Sequence, residues 1–302
     1  MSTILVMAHV ARPDSLDATR RAVARLSQAG ARAVISAEQW DDIVAHAPQI
    51  ASQALRLGVD VSASELTLVL ALGGDGTILR AAELVRDAGT PILGVNLGSV
   101  GFLAEVELDS LDDTVDRALA GTYRIEDRLA LDVRVTEGDR EVYLGWALNE
   151  VTVEKAAPAR MLDVVLEVDG RPISSIGCDG VVFATPTGST AYNFSAGGPI
   201  VWPGVEALLC VPLSAHALFA KPLVVAPDST LSVEIRQRSA AEGTLICDGR
   251  RVFSLNRRAR VSATRSDQPV RLARVHDDTF ADRLVRKFDL PVSGWRGPEG
   301  GS

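Results

Sequence analysis

Two hydrophobic periods run through this chain, and the change between them near Thr122 limits its possible folds more than any other feature. Ahead of that point, short apolar runs alternate with stretches of helical spacing. Residues 4–8, 33–36, 66–72 and 91–95 read as strands, the apolar ones suited to burial on both faces. Between them, Leu16, Val23 and Leu26 share one side of a helix that Asp14 can cap and Gly30 can end. Residues 78–87 read as a second helix ending near Gly89, and residues 111–120 as a further one ending at Gly121. Strands separated by helices imply a parallel, Rossmann-like sheet, with ligands at the carboxyl ends of its strands.

Beyond Thr122 the period becomes twofold. Leu129, Leu131, Val133 and Val135 alternate with Asp132, Arg134 and Thr136, as in a half-exposed strand. Residues 162–168, 231–236, 245–247 and 270–275 continue this character, and Asp169-Gly170 and Asp248-Gly249 read as hairpin turns. Helical spacing returns at 278–287 through Phe280, Leu284 and Val285, ahead of a Gly-rich tail expected to fray. The expected division is an α/β domain over 1–121, a mostly-β domain over 122–276, and a C-terminal helix and tail over 277–302.

With 302 residues, 47% hydrophobic and 23% charged, the chain can bury real cores and is not disordered. Its formal net charge of -8 argues against a general nucleic-acid binder. A small anion can still be held by backbone N–H groups. Cys178, Cys210 and Cys247 are odd in number and lack metal-ligand spacing, so they are expected to be reduced, mostly buried thiols, with no protein metal site. The apolar start lacks a basic flank and reads as a first strand rather than a leader. Residues 207–220 are too few to span a bilayer and contain Pro212, Ser214 and His216, so no membrane association and a cytoplasmic location are expected.

The chemistry-bearing residues fall on both sides of the boundary. Gly73-Gly74-Asp75-Gly76-Thr77 follows the 66–72 strand, where glycines permit close approach of a ligand and N–H groups favour phosphate. Asp75 would repel phosphate itself, but suits a hydroxyl nucleophile or a magnesium ion. The plainer alternative is a tight turn in which Asp75 caps the helix. No GxxxxGK[ST] sequence is present, so this is not a P-loop enzyme. Asn149-Glu150 sets an amide beside a carboxylate, or is an exposed strand end. Residues 185–199, TPTGSTAYNFSAGGP, crowd hydroxyls and glycines around Tyr192 and can wrap a nucleoside; the bland reading is an irregular surface loop. His216 reads as packed or solvated rather than catalytic.

GGDGT after a buried strand resembles a kinase superfamily of NAD, diacylglycerol and sphingosine kinases and, more distantly, phosphofructokinases. With Asn96-Leu97-Gly98, Gly101-Phe102-Leu103, Asn149-Glu150 and the 185–199 segment in that order, the chain resembles the NAD kinase family of the bacterial ATP/polyphosphate type, closely over residues 69–222. The resemblance implies transfer of a phosphoryl group from ATP to the 2′-hydroxyl of the adenosine ribose of NAD, forming NADP. It implies Asp75 as proton acceptor, Gly73, Gly74, Gly76 and Thr77 as a phosphate-binding loop, and Gly76 against NAD. Arg80 would help hold a phosphate. Asn149, Glu150, Arg160, Asp179, Thr190, Ala191, Tyr192, Asn193, Phe194 and Ser195 would contact NAD. A divalent cation, Mg²⁺ or another, accompanies the nucleotide, and a homodimer or homotetramer is expected, with Asp179 reaching a neighbouring subunit's ligand. Inorganic polyphosphate serves some bacterial relatives, and no residue here chooses between donors. The rival readings are a lipid kinase of the same superfamily, for which no basic amphipathic helix or aromatic cluster is present, and a non-catalytic NAD-binding regulator.

Overall fold

The computed structural model describes residues 1–8, 13–98, 101–104, 106–217, 220–276 and 279–292. They form two compact units, Met1–Asp127 with Val270–Ser302, and Arg128–Pro269.

In the first unit the strands lie in the order Ala54–Leu57, Arg32–Ser36, Thr3–Ala8, Leu68–Leu72, Ile92–Asn96, Val270–Arg274, Arg124–Arg128, with the short Val106–Glu107 beside Ile92–Asn96. The pairings from Ala54–Leu57 through to Val270–Arg274 are parallel. Thr3–Ala8 and Leu68–Leu72 are buried along their whole length, as two-faced coverage by helices requires. The strand order runs outward in opposite directions from this central pair, which places the sheet's switch point at their carboxyl ends. Gly73 is the first residue past that end.

The expected helices are present with shifted ends. The first spans Pro13–Gln28, with Asp14 inside its first turn rather than ahead of it, and Gly30 follows at φ +72°. The second spans Asp75–Val85, starting inside the glycine motif, and the third spans Leu111–Ala120 with a left-handed Gly121 beyond it. The helix Ala37–His46 and the strand Ala54–Leu57 were not foreseen. Gln39 and Ile43 are the buried residues of that helix, too sparse a pattern to announce it.

The second unit is a sandwich of two six-stranded sheets. One runs Leu223–Val225, Leu208–Leu213, Gly180–Ala184, Glu150–Lys155, Gly243–Cys247, Arg251–Leu255. The other runs Arg171–Cys178, Leu162–Val168, Leu231–Ile235, Ala259–Arg265, Leu131–Glu137, Arg140–Ala147, all antiparallel. Alternate residues from both sheets, such as Leu131, Val133 and Val135 with Val151, Val153 and Phe183, fill one core. Asp169 and Gly170 both take positive φ between paired Val168 and Arg171, the geometry of a tight hairpin. Cys178, Cys210 and Cys247 are buried, unlinked core residues, and burial pushes their thiols up to about 12, 12 and 11.

Two features differ from the expected division. Val270–Arg274, read as part of the β-rich half, belongs to the first sheet, where Leu272 pairs with Ile92. The second unit therefore covers 128–269 rather than 122–276. Twofold alternation reports a strand but not the sheet that will take it. The last helix, Phe280–Phe288, starts from a capping box between Thr279 and Asp282 and likewise belongs to the first unit. The Gly-rich tail lies outside the described residues.

Gly94 shows how closely the first unit packs. A Cβ there would lie 2.6 Å from Ile78 Cδ1 and 2.9 Å from Ala104 Cα. Gly94→Ala should lower stability in urea unfolding by about 1–3 kcal/mol, as overpacking does. Gly204→Ala, where a Cβ meets open space, should unfold like the parent. Equal midpoints for all three proteins would show that the helix on this strand yields freely.

Candidate active site

In the first unit the site is built on the turn after Leu68–Leu72. Thr77 folds back so closely over Gly73 that no Cβ fits there, and Gly74 is the helix N-cap. Asp75 is thus the first residue of the helix and does not cap it. Its carboxylate crosses instead to the second Gly-rich stretch, accepting Phe102 N–H at Oδ2 and Leu103 N–H at Oδ1, both at 3.0 Å. A Cβ on Gly101 would overlap Asp75 Oδ1. A carboxylate at a helix N-terminus is also favoured by the helix dipole. The two oxygens offer roughly four acceptor positions, so two remain for a ligand.

The 101–103 segment is itself held. The Phe102 ring lies 5.7 Å from Phe280 and 6.0 Å from Phe288 of the last helix. Buried Arg274 donates to Leu103 O at 2.7 Å and pairs with Glu126 at 2.7 Å. Gly76 is exposed, and a Cβ there would meet nothing within 4 Å. Arg80 does not stand free for a phosphate. Its guanidinium bonds Glu38 at 2.8 Å, from the unforeseen helix, although Glu38 is largely exposed and the pair can exchange partners.

In the second unit Asn149 and Glu150 are buried rather than an exposed strand end. Thr185 joins them to the 185–199 segment. Its hydroxyl donates to Leu148 O at 2.6 Å, its N–H donates to Asn149 O at 2.9 Å, and its Oγ1 accepts Gly188 N–H at 3.1 Å. Gly188 passes so close to Asn149 O that no side chain fits. The segment forms two short turns, Gly188–Thr190 and Tyr192–Ser195. Ser189 donates to Pro186 O and accepts Val201 N–H. Buried Asn193 donates to Ser189 O at 3.3 Å and Pro199 O at 3.2 Å, so its side chain braces the segment from within. Tyr192, Phe194 and Ser195 are exposed, and Thr190 and Ala191 are half-buried.

Glu150 has a strongly perturbed carboxyl. Burial, and then the charge of Asp248, push it up to about 8, against a hydrogen bond from Tyr192 N–H. Its Oε2 is buried without a partner. A cleft of about 480 Å³ in the same unit is lined in part by Glu154, Lys155, Asp179, Tyr192, Ser195 and Ser214. Lys155 Nζ lies 2.6 Å from Asp179 Oδ1 and, with smaller help from Ser214 and His216, holds the Asp179 carboxyl below its ordinary range. The structure thus brings Asp179, Tyr192 and Ser195 to one cleft, while Arg160 is an exposed residue outside its lining.

Lys155 was missed because residues 154–159 read as a motif-free loop; its first two residues end the strand Glu150–Lys155. Asp248 was read only as a turn residue, because an Asp-Gly pair flanked by apolar strands gives no hint of burial. Among the described residues no group of three or more His, Cys, Asp and Glu could hold a metal ion. No helix among them is long and apolar enough to cross a membrane.

The comparisons with known proteins agree with this geometry. The family pattern described as ATP-NAD kinase N-terminal domain matches residues 4–123, and the ATP-NAD kinase C-terminal domain matches 148–275. An NAD kinase of Leifsonia xyli subsp. xyli is 60% identical, with 98% of this chain and 97% of that protein covered. Among solved structures, the yeast NADH kinase complexed with NADH is similar at a TM-score of 0.84 and 19% identity, covering 97% of this chain and 89% of that one. An NAD kinase from Archaeoglobus fulgidus in complex with ATP is similar at 0.72 and 24%, covering 96% and 99%; at these identities both show the fold. A glycine turn presenting a fixed carboxylate and a Thr/Ser/Gly segment locked to a buried Asn-Glu pair, matched by both halves of one family over most of the chain, lead to one conclusion: this chain belongs to the ATP-NAD kinase family.

Proposed function

We propose that the chain is a phosphotransferase that moves the terminal phosphoryl group of ATP to the 2′-hydroxyl of the adenosine ribose of NAD, forming NADP. The observation that carries this reading is the Asp75 carboxylate, anchored by two backbone N–H groups at the mouth of the glycine turn with acceptor capacity to spare. Asp75 accepts the proton of the 2′-hydroxyl as its oxygen bonds to the γ-phosphorus. The bond from that phosphorus to the bridging oxygen breaks, and ADP leaves with the electron pair. A carboxylate is a weak base for an alcohol, so its chief contribution is to orient the hydroxyl. Gly76, unhindered by its own chain, leaves room for close approach of the dinucleotide.

In the second unit, Asn149 and Glu150 offer polar groups to the nucleoside, and Tyr192 and Phe194 offer exposed rings. Lys155 is a cation for the dinucleotide's phosphates once Asp179 releases it. Magnesium fits this donor set, because it binds through one or two carboxylates plus substrate phosphates and waters rather than an all-protein cage. Asp75 is the carboxylate that would reach it, and the ion supplies charge neutralisation on the phosphates. The proposed setting is the cytoplasm, and the proposed assembly a homodimer or homotetramer in which Asp179 serves a neighbouring subunit's ligand.

Purified protein with NAD, Mg²⁺ and ATP should form NADP, with polyphosphate run as a separate donor and diacylglycerol as a separate acceptor. Lipid phosphorylation without NADP would remove the proposal. Asp75→Asn should lower kcat by roughly 10²–10⁴-fold. It should also cost about 1.5–3 kcal/mol of stability, because the two N–H groups meet different oxygens and the amide NH₂ would face one of them. Turnover within a few-fold of the parent would move the base elsewhere, with Glu150 next to test.

Glu150 gives a pH signature. Its carboxyl is raised to about 8 in the folded protein from an ordinary value of 4.5, so the folded state binds the proton more tightly. That stability is complete below about 4.5 and is lost as pH rises towards 8. Glu150→Gln escapes the loss, so its melting temperature relative to the parent should climb steadily from pH 5 to pH 8. A difference that stays flat across that range would mean Glu150 is charged throughout. Light scattering at assay concentrations should show a dimer or tetramer, and a fully active monomer would dismiss the assembly proposal.

A further inference from the structure

Asp248 carries more interactions than a hairpin turn needs. It sits between the strands Gly243–Cys247 and Arg251–Leu255 at φ +52°, a conformation Asp tolerates well. A turn residue of this kind is ordinarily solvated, but Asp248 is 5% exposed. Its Oδ2 accepts Leu148 N–H at 3.0 Å and its Oδ1 accepts Asn149 N–H at 2.7 Å. Its own N–H donates to Glu150 O at 2.9 Å, so three consecutive residues are fixed by one aspartate. Arg251 Nη2 closes the group at 2.6 Å, and the Arg251 guanidinium lies over the Trp146 ring at 4.4 Å.

We propose that Asp248 is a positioning residue for the dinucleotide: clamped by Arg251, it fixes the backbone from Leu148 to Glu150 and so sets where the Asn149 amide and the unpartnered Glu150 Oε2 face. The inference rests on the reading of Asn149 and Glu150 as NAD-binding residues. Burying a second carboxyl beside Glu150 is unfavourable for both, and burial raises Asp248 as it raises Glu150. An Asn-Gly turn would join the same strands without that penalty. The arrangement is accounted for by what it presents: a carboxyl held in place, with one oxygen kept for a partner from outside the chain.

Asp248→Asn keeps the turn but offers one acceptor oxygen, leaving one of the two backbone N–H groups facing an amide NH₂. The KM for NAD should rise on the order of 10-fold or more, as loss of a hydrogen bond to a charged group implies, while the KM for ATP stays within about 2-fold. In the Asp248→Asn, Glu150→Gln double variant the two effects on the NAD KM should fall well short of multiplying, because both act on one feature. Arg251→Met leaves the backbone bonds and removes the clamp, and should raise the NAD KM less, again sparing ATP. If Asp248→Asn does not fold, this second variant decides by the same comparison. A lowered melting temperature with an unchanged NAD KM, or equal losses for NAD and ATP, would make Asp248 structural only. Absence of NADP formation by the parent protein would instead overturn the functional reading beneath it.

Discussion

Two backbone N–H groups fix the Asp75 carboxylate, and much of the first unit makes that possible. The approach demands a residue without Cβ at 101 and a strand thin enough at 94 for Ile78 to settle against it. Leu103 must then be prevented from drifting, which a buried arginine on the last strand does through its carbonyl. Phe102 must face apolar neighbours, which two rings of the final helix provide. Remote parts of the sequence thus converge on the orientation of one side chain. Preorganisation of this kind suits a reaction in which orienting the reactants outweighs the basicity of the acceptor.

The second unit meets the opposite difficulty. It keeps polar groups inside, where desolvation works against them, and satisfies several of them through backbone partners. Thr185 is the hinge pin of this arrangement, its hydroxyl serving two segments at once. Glu150 Oε2, buried without a partner, is where a molecule from outside the chain has much to gain. The rigid sandwich behind these residues supplies the register that such close contacts need.

Much of this was legible in the residues. The buried run into GGDGT, the 185–199 segment and the change of period each state a local need that only a few structures meet. What stayed hidden depends on tertiary context. The Arg80–Glu38 pair could not be read from the residues, because Glu38 sits on a helix whose buried residues are Gln39 and Ile43 and which was not foreseen. Gly101 and Phe102 stood inside a recognised motif, yet their task of holding Asp75 arises only when two loops meet. Asp248 signalled a turn correctly, while its burial follows from where the strand ending at Ala147 leads the chain. Val270–Arg274 carries the alternation of any half-buried strand, and alternation names no partner.

The return of that strand to the first sheet also orders events in time. During synthesis the 128–269 unit is contiguous and can close as soon as it leaves the ribosome. The first sheet has no such freedom: the strand between Ile92–Asn96 and Arg124–Arg128 is missing until residue 274 is made. At ordinary elongation rates that gap lasts on the order of 10 s. For that interval a nascent chain carries an open sheet, with the neighbour of Ile92–Asn96 still to come, while the 128–269 segment is being made. Arg274 and the two closing phenylalanines come after that unit, so the segment that orients the carboxylate at Asp75 gains its supports only once residues 274–288 are made.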